Sequence, residues 1–223
     1  MAAKKPKLGY HHGDLKNALV TAAVRLIEKR KDTAFTVREL AVEAAVSHAA
    51  AYRHFAGKGD ILAAVAEAGF ARLQASFVAA ARAHPTSIGD ELHALGVAYV
   101  TFAVEHTGYF RTMFHSDLGD HTAFPGLAAV SRAAFDSLFS AVSRGAAAGT
   151  FVQRPAIELA VMAWSSVHGL ASLIIDGRMH NPHGPTASAQ ELGRIVNDLL
   201  LVGLLPRALG ERPAQRPGRA QPG

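Results

Sequence analysis

Hydrophobic positions recur at helical spacing along most of this chain, and the pattern first becomes informative between Thr36 and Phe55. Val37, Leu40 and Ala41 fall on one face of a short helix that Thr36 and Glu39 can open as a capping box, a hydroxyl and a carboxylate satisfying backbone N–H groups left free at a helix start. Ala44-Ala45-Val46 breaks the pattern, and Ser47 offers a second N-cap. The helix that follows carries the small residues Ala49, Ala50 and Ala51, flanked by His48, Tyr52, Arg53 and His54. A DNA major groove, about 12 Å wide, admits a helix whose leading face is small and whose polar groups lie at its edges. Two short helices joined by a tight turn are therefore expected over residues 36–55, with a DNA-reading surface on the second.

Ahead of this pair, Leu15, Leu19, Ala22, Leu26 and Ile27 mark a scaffold helix that starts near Asp14 and closes on Lys29-Arg30-Lys31, cations that suit a helix C-terminus. After Phe55, the segment AGKGD turns into a longer helix with Leu62, Val65, Ala66, Gly69, Leu73 and Phe77 along one side. Lys58 stands at its start, where free N–H groups and an ammonium together can hold a phosphate. This helix reads as the connection between a reading head and a body. Beyond Ser87 the pattern predicts only helices, over 88–104, 108–114, 124–148, 155–176 and 188–209, with Pro155 in a first turn and Gly149 as a stop. In the last of these, Leu192, Ile195, Val196, Leu199, Leu200, Leu201, Val202, Leu204 and Leu205 cover nearly the whole circumference. A helix apolar all round must be covered on both sides, which points to a second copy of the same helix.

The composition sharpens this picture. With 49% hydrophobic and 18% charged residues the chain can bury a core, and with no cysteine it has neither a disulfide framework nor a thiolate site. No apolar run is expected to span a bilayer, so no membrane partner is expected. Residues 1–60 hold eleven Lys and Arg against six Asp and Glu, residues 61–205 hold eight against eleven, and every lysine lies in the first 60. A basic N-terminal module on an acidic body is the footprint of a polyanion binder. Lys4, Lys5 and Lys7 form a polar arm that either reaches DNA or is an unstructured terminus, and the Pro-, Arg- and Gly-rich tail over 210–223 is predicted to be disordered.

Other chemistry is sparse. His106, His115, His121, Asp117 and Asp120 gather around one loop, 106–121, but their spacing matches no closed metal motif, and no metal or other cofactor is expected. There is no Gly-rich phosphate loop and no nucleophile elbow, so no catalytic residue is assigned.

Thr36, Leu40, Ala41, Val46, Ser47, Tyr52, His54, Phe55 and Lys58 stand where the TetR family of bacterial transcriptional regulators has its reading motif, and the chain resembles that family closely here. Two positions depart from it: Ala51 replaces a larger aliphatic residue, and Ala45 replaces a turn glycine. The segment Trp164-Ser-Ser-Val-His168-Gly169 resembles a signature of one C-terminal class of the family. The resemblance implies an all-α fold, with a three-helix helix-turn-helix domain over 11–71 and an effector-binding, dimerising domain over 84–209. It implies a cytoplasmic homodimeric repressor that leaves its palindromic DNA operator when a small-molecule effector binds. Thr36, Arg38, Ser47, Tyr52, His54 and Lys58 are the expected backbone contacts, and His48, Arg53, Ala49 and Ala50 the expected base contacts. Tyr99, Phe102, Phe110, Met113, Phe114, Phe135, Phe139, Trp164 and His168 are the candidate pocket, and the helices over 155–176 and 188–209 the candidate dimer interface. A ligand-binding protein or enzyme with an incidental basic terminus, and a sequence-independent DNA binder, are the alternatives.

Overall fold

In the computed structural model, residues 12–83, 87–119, 121–179 and 187–206 are described, with side chains from Leu15 onward. The basic arm, the Asp14 side chain, Asp120, the 180–186 segment and the tail lie outside the described residues. Nine α-helices and one 3-10 turn account for the regular structure, with no strand among the described residues.

The head is built from α1 (His12–Arg30), α2 (Val37–Glu43) and α3 (His48–Tyr52); α1 packs on α4 (Lys58–Ala83), α2 on α1, and α3 on α2. Local chemistry fixes each boundary. Thr36 accepts from the Glu39 backbone N–H while the Glu39 carboxylate accepts from that of Thr36, completing the capping box before α2. Ser47 accepts from the Ala50 N–H and opens α3. Arg30 at the end of α1 donates to Glu39 at 2.6 Å, and Arg25 reaches Glu43 at 3.0 Å, so both ends of α2 are tied to α1. Hydrogen bonds from Arg30 and then Thr36 hold the Glu39 carboxyl down at about 2. Leu19, Ile27, Leu40, Ala51 and Phe55 close the core beneath.

The turn between α2 and α3 carries the cost expected of its missing glycine. Val46 N–H bonds to Ala41 C=O and Ala45 N–H to Val42 C=O, a Schellman closure that puts Ala45 at φ 54°. Equivalent closures after α7 and α8 use Gly149 and Gly177.

The body comprises α5 (Ile88–Glu105), α6 (Thr107–Met113), a 3-10 turn at Ser116–Leu118, α7 (Pro125–Ala147), α8 (Ala156–Ile175) and α9 (Ala189–Leu204). These lie within a few residues of the predicted spans except at the last C-terminus. There α9 stops at Leu204, and Leu205 is extended at ψ 142° because Pro206 disfavours helical backbone in the residue before it. The rear half of α4 runs into this body, and α6 packs back on α1, where a Cβ on Gly108 would stand 2.8 Å from Glu28 Cγ.

The expectation about membrane-length runs is corrected: α4 and α8 are both long and apolar enough to cross a bilayer. Half of the apolar window in α4 is buried by neighbouring helices, and the exposed apolar residues of α8 form one stripe rather than an all-round surface.

Because Ala45 is exposed and loses no packing, Ala45→Gly removes the left-handed strain at little cost. It is expected to stabilise the protein by about 0.5–1 kcal/mol, raising the melting temperature by roughly 2 °C in a thermal scan.

Candidate functional site

The reading helix has two distinct sides. Ala50 and Ala51 face the core, while His48, Ala49, Tyr52 and Arg53 face outward, Tyr52 being 48% exposed. This corrects the placement of Ala50 among the base contacts. Ala50 is 7% exposed, because on a helix it lies one residue from Ala51, whose methyl must fill the space beneath. His48 and Tyr52, one turn apart, pack edge to face with ring centroids 4.8 Å apart and stiffen the outer surface. Thr36 and Arg38 are exposed beside it on the α2 side, and Ser47 is exposed although its hydroxyl is engaged in capping. Lys58 begins α4 as expected, but its Nζ lies 5.9 Å from the Phe35 ring centre, and the residue lines a cleft between head and body.

Within the body, α4, α5, α6, α7, α8 and α9 enclose a cavity of about 530 Å³. Tyr99, Met113, Phe114, Phe135 and Trp164 line it as expected. Four other candidates do not. Phe102 is buried one turn further along α5 than Tyr99, beyond the cavity's end and tilted against His106, and Phe139 is 36% exposed beside Phe135 on the outside of α7. Phe110 and His168 stand behind the wall and line the second cleft instead, with His168 edge-on to Phe114 at 4.6 Å. The lining also includes Phe77 and Leu200, which helical periodicity had placed only on apolar helix faces, and Phe70, Leu92, Leu95, Ser131, Arg132 and Asn197, which it did not single out.

One polar chain runs through the wall. Trp164 Nε1 donates to the Tyr99 hydroxyl at 3.4 Å, and that hydroxyl lies 2.8 Å from His168 Nδ1. With the tyrosine oxygen accepting from tryptophan, its own proton is available to Nδ1, an arrangement open to a neutral imidazole. Burial lowers the His168 pKa in agreement, and burial likewise pushes the Tyr99 hydroxyl well above its usual value.

His115 joins the cavity to the head. It lines both the cavity and the second cleft, and its Nε2 lies 2.8 Å from Oγ1 of Thr33, a buried residue in the loop that leads into α2. Nδ1 accepts from the Asp117 backbone N–H at 3.2 Å, so Nε2 carries the proton that Thr33 accepts. The two residues are 82 positions apart, and nothing in their local sequence announces the contact. The remaining members of the His-rich loop do not converge. His121 turns to Ser131 and Phe70, His106 is tilted against Phe102 and edge-on to Tyr109, and no group of three metal-ligating side chains forms among the described residues.

A capped helix-turn-helix with an outward reading face, joined by one long helix to a helical body with an apolar cavity, defines a DNA-binding transcriptional regulator. Residues 19–65 match the family model for bacterial regulatory proteins of the tetR family, and residues 92–196 match that for the tetracyclin repressor-like C-terminal domain. A protein with unknown function from Rhodococcus sp. RHA1 superposes with a TM-score of 0.74 at 30% identity, covering 90% of this chain and 100% of that one. A bacterial regulatory protein in the tetR family from Rhodococcus RHA1 gives 0.67 at 22% identity, covering 87% and 98%. The fatty acid degradation regulator FadR from Bacillus halodurans shares the fold at 0.68 and 16% identity, covering 90% and 97%. Among curated proteins, none matches the chain. The chain belongs to the TetR family of transcriptional regulators.

The lowered His168 pKa sets a pH dependence. The unfolded histidine takes a proton below about pH 6.5 while the folded one resists it, so stability is full above that pH and declines as pH falls toward the folded value. Melting temperatures measured from pH 7.5 to 5.5 should fall, and His168→Gln should flatten part of the slope.

Proposed function

We propose that the chain is a homodimeric repressor whose two reading helices enter successive major grooves of a palindromic operator, and which lets go when a small molecule fills the cavity in the body. The observation that carries the ligand-responsive part is His115, which sits in the cavity wall and at the same time holds Thr33 at the root of the head. A ligand that displaces or repositions the imidazole changes what holds the α1–α2 loop, and with it the angle at which α2 and α3 are presented. The ligand must prefer one of the two arrangements, since one that binds both equally shifts nothing.

The dimer reading rests on two exposed stripes. On α8, Ile157, Val161, Ser165, Gly169 and Leu173 recur at every fourth residue on the outer side, and a Cβ at Gly169 would meet nothing within 4 Å. On α9, Ile195, Leu199 and Val202 are exposed on the side away from the body. A second copy laying its own α8 and α9 here would form a four-helix seam, with Ser165 and Gly169 allowing close approach at its middle. To read a palindrome, such a dimer must hold its two heads about 34–36 Å apart, the distance one helical turn of DNA demands. The reading places the protein in the cytoplasm with the chromosome. The domains proposed are residues 11–71 for DNA and 84–209 for effector and dimer.

On α3 and at its C-terminal cap, His48 and Arg53 are assigned to base edges and Ala49 to a thymine methyl, with Tyr52, Thr36, Arg38, Ser47, His54 and Lys58 on the DNA backbone. Lys58 must swing away from Phe35 to serve. Selection of a binding site from random duplexes, followed by mobility shifts, tests the division. Tyr52→Ala should weaken cognate and scrambled DNA by similar factors, whereas Arg53→Ala should also relax preference at one base pair, at about 1–3 kcal/mol. Equal losses on both duplexes for both variants would contradict these roles.

Thr33→Val keeps the shape of a buried side chain and removes the acceptor for His115. Its affinity for the selected duplex should stay close to that of the unaltered protein. The change in that affinity on adding an active ligand, about 5- to 150-fold for a typical coupling, should shrink severalfold.

A further inference from the structure

The cavity is polar at one end and carries a lone hydrogen-bond acceptor near the other. His115, Ser116, His121, Thr122, Ser131 and Arg132 gather where α7 begins, whereas Leu92, Leu138 and Leu200 close the opposite end, where they share a second apolar cluster. The α7 residues of the lining run from Ala128 to Leu138, a span of about 15 Å at the helical rise. Arg132 is exposed at the polar mouth and makes no ion pair among the described residues.

Asn197 breaks the apolar end. It stands one turn before Leu200 on α9, is 1% exposed, and lines the cavity. Its Nδ2 donates to the Gly193 carbonyl at 2.7 Å, and because a carbonyl can only accept, the other atom of the amide is unambiguously Oδ1. Oδ1 lies against Gly96, itself part of the lining, at a point where any Cβ on that glycine would overlap it. It accepts nothing among the described residues, yet it is not sealed: the buried side-chain polar atom with neither solvent nor partner is Ser143 Oγ. A buried amide oxygen held between two residues of an apolar cavity's lining, without a donor, is costly unless something in the cavity supplies one.

We propose that the effector is an elongated, chiefly hydrocarbon acid carrying a hydroxyl on its apolar end, with that hydroxyl donating to Asn197 Oδ1 and the carboxylate meeting Arg132 and His121 at the mouth. This deepens the ligand-responsive reading above and rests on it. Asn197 is then the residue that separates a hydroxylated ligand from its plain hydrocarbon analogue, since a site built to satisfy a hydroxyl is left with an orphaned acceptor when the hydroxyl is missing.

Trp164 is the only tryptophan and lines the cavity, so its emission reports occupancy directly. The full chain is titrated with 12-hydroxydodecanoic acid, dodecanoic acid and dodecan-1-ol. The hydroxy acid should bind roughly tenfold more tightly than dodecanoic acid, the factor expected of one well-made buried hydrogen bond. Asn197→Leu should abolish that preference while retaining dodecanoic acid. Arg132→Gln should weaken both acids by a similar factor and leave dodecan-1-ol unchanged. The comparison between ligands on the unaltered protein needs no variant, so a poorly folded Asn197→Leu leaves the test intact. Equal affinity for the two acids overturns the proposal and leaves the ligand-cavity reading standing. An unchanged Trp164 emission with all three compounds overturns both.

Discussion

The structure depends on one constraint, that α4 is buried at both ends by different partners. Its first turns carry Ile61, Leu62 and Val65 into the core of the head, and its later turns carry Phe70, Leu73 and Phe77 into the wall of the cavity. At Gly69, between the two, the helix meets α6 so closely that an added Cβ would stand 2.7 Å from Met113 Sδ. A helix held in this way cannot tilt at one end alone. Packed interiors have two arrangements more readily than a continuum of them, so a change in the cavity wall must either be resisted or be passed to the head as a whole.

Against that apolar background the buried polar residues stand out. Among the described residues these are Thr33, Thr112 and Asn197. Thr112 is satisfied within its own helix by the Gly108 carbonyl and is structural. Thr33 is satisfied by a histidine from the other half of the molecule, and Asn197 is half satisfied, its free atom lying against Gly96 of the cavity lining. An apolar side chain would cost less at either of the last two places unless the polar atom has work to do. On the proposed reading both have it, one in joining head to body and one in sorting ligands.

What was legible in the sequence was chemistry acting over three or four residues. The capping box at Thr36 and Glu39, the cap at Ser47, the strained turn at Ala45 and the helical character of every element of the body follow from neighbours along the chain. Side-chain direction was less legible. On a helix as short as α3, Ala49 and Ala50 differ by one step of about 100°, so the composition that marked both as groove-facing could not say which one the core would claim. Phe102 and Phe139 failed for a related reason: size nominated them for the pocket, while where the cavity ends along α5, and which side of α7 meets it, is decided by how the helices pack together. The bond between Thr33 and His115 had no local signal at all. Asn197 did have one, a polar residue inside an otherwise apolar run, but its meaning needed Gly96 and the cavity beside it.

The same two helices that close the cavity also bear the proposed seam between subunits. On α8, Ala163, Trp164 and Val167 face the cavity while Val161, Ser165 and Gly169 face away from it, and on α9 Asn197 and Leu200 line the cavity while Ile195 and Leu199 point outward. A ligand pressed against the inner faces therefore acts one helix thickness, about 10 Å, from the partner subunit. If the dimer is as proposed, the ligand has two paths to the DNA, the direct one through His115 and Thr33 and an indirect one through the seam. These act on different quantities. The first alters the pitch of each reading helix, and the second alters the distance between the two, which is what a palindrome measures. A rigid α4 makes the two changes concerted, so that a modest differential affinity at the cavity is enough to bring the pair out of register with successive grooves.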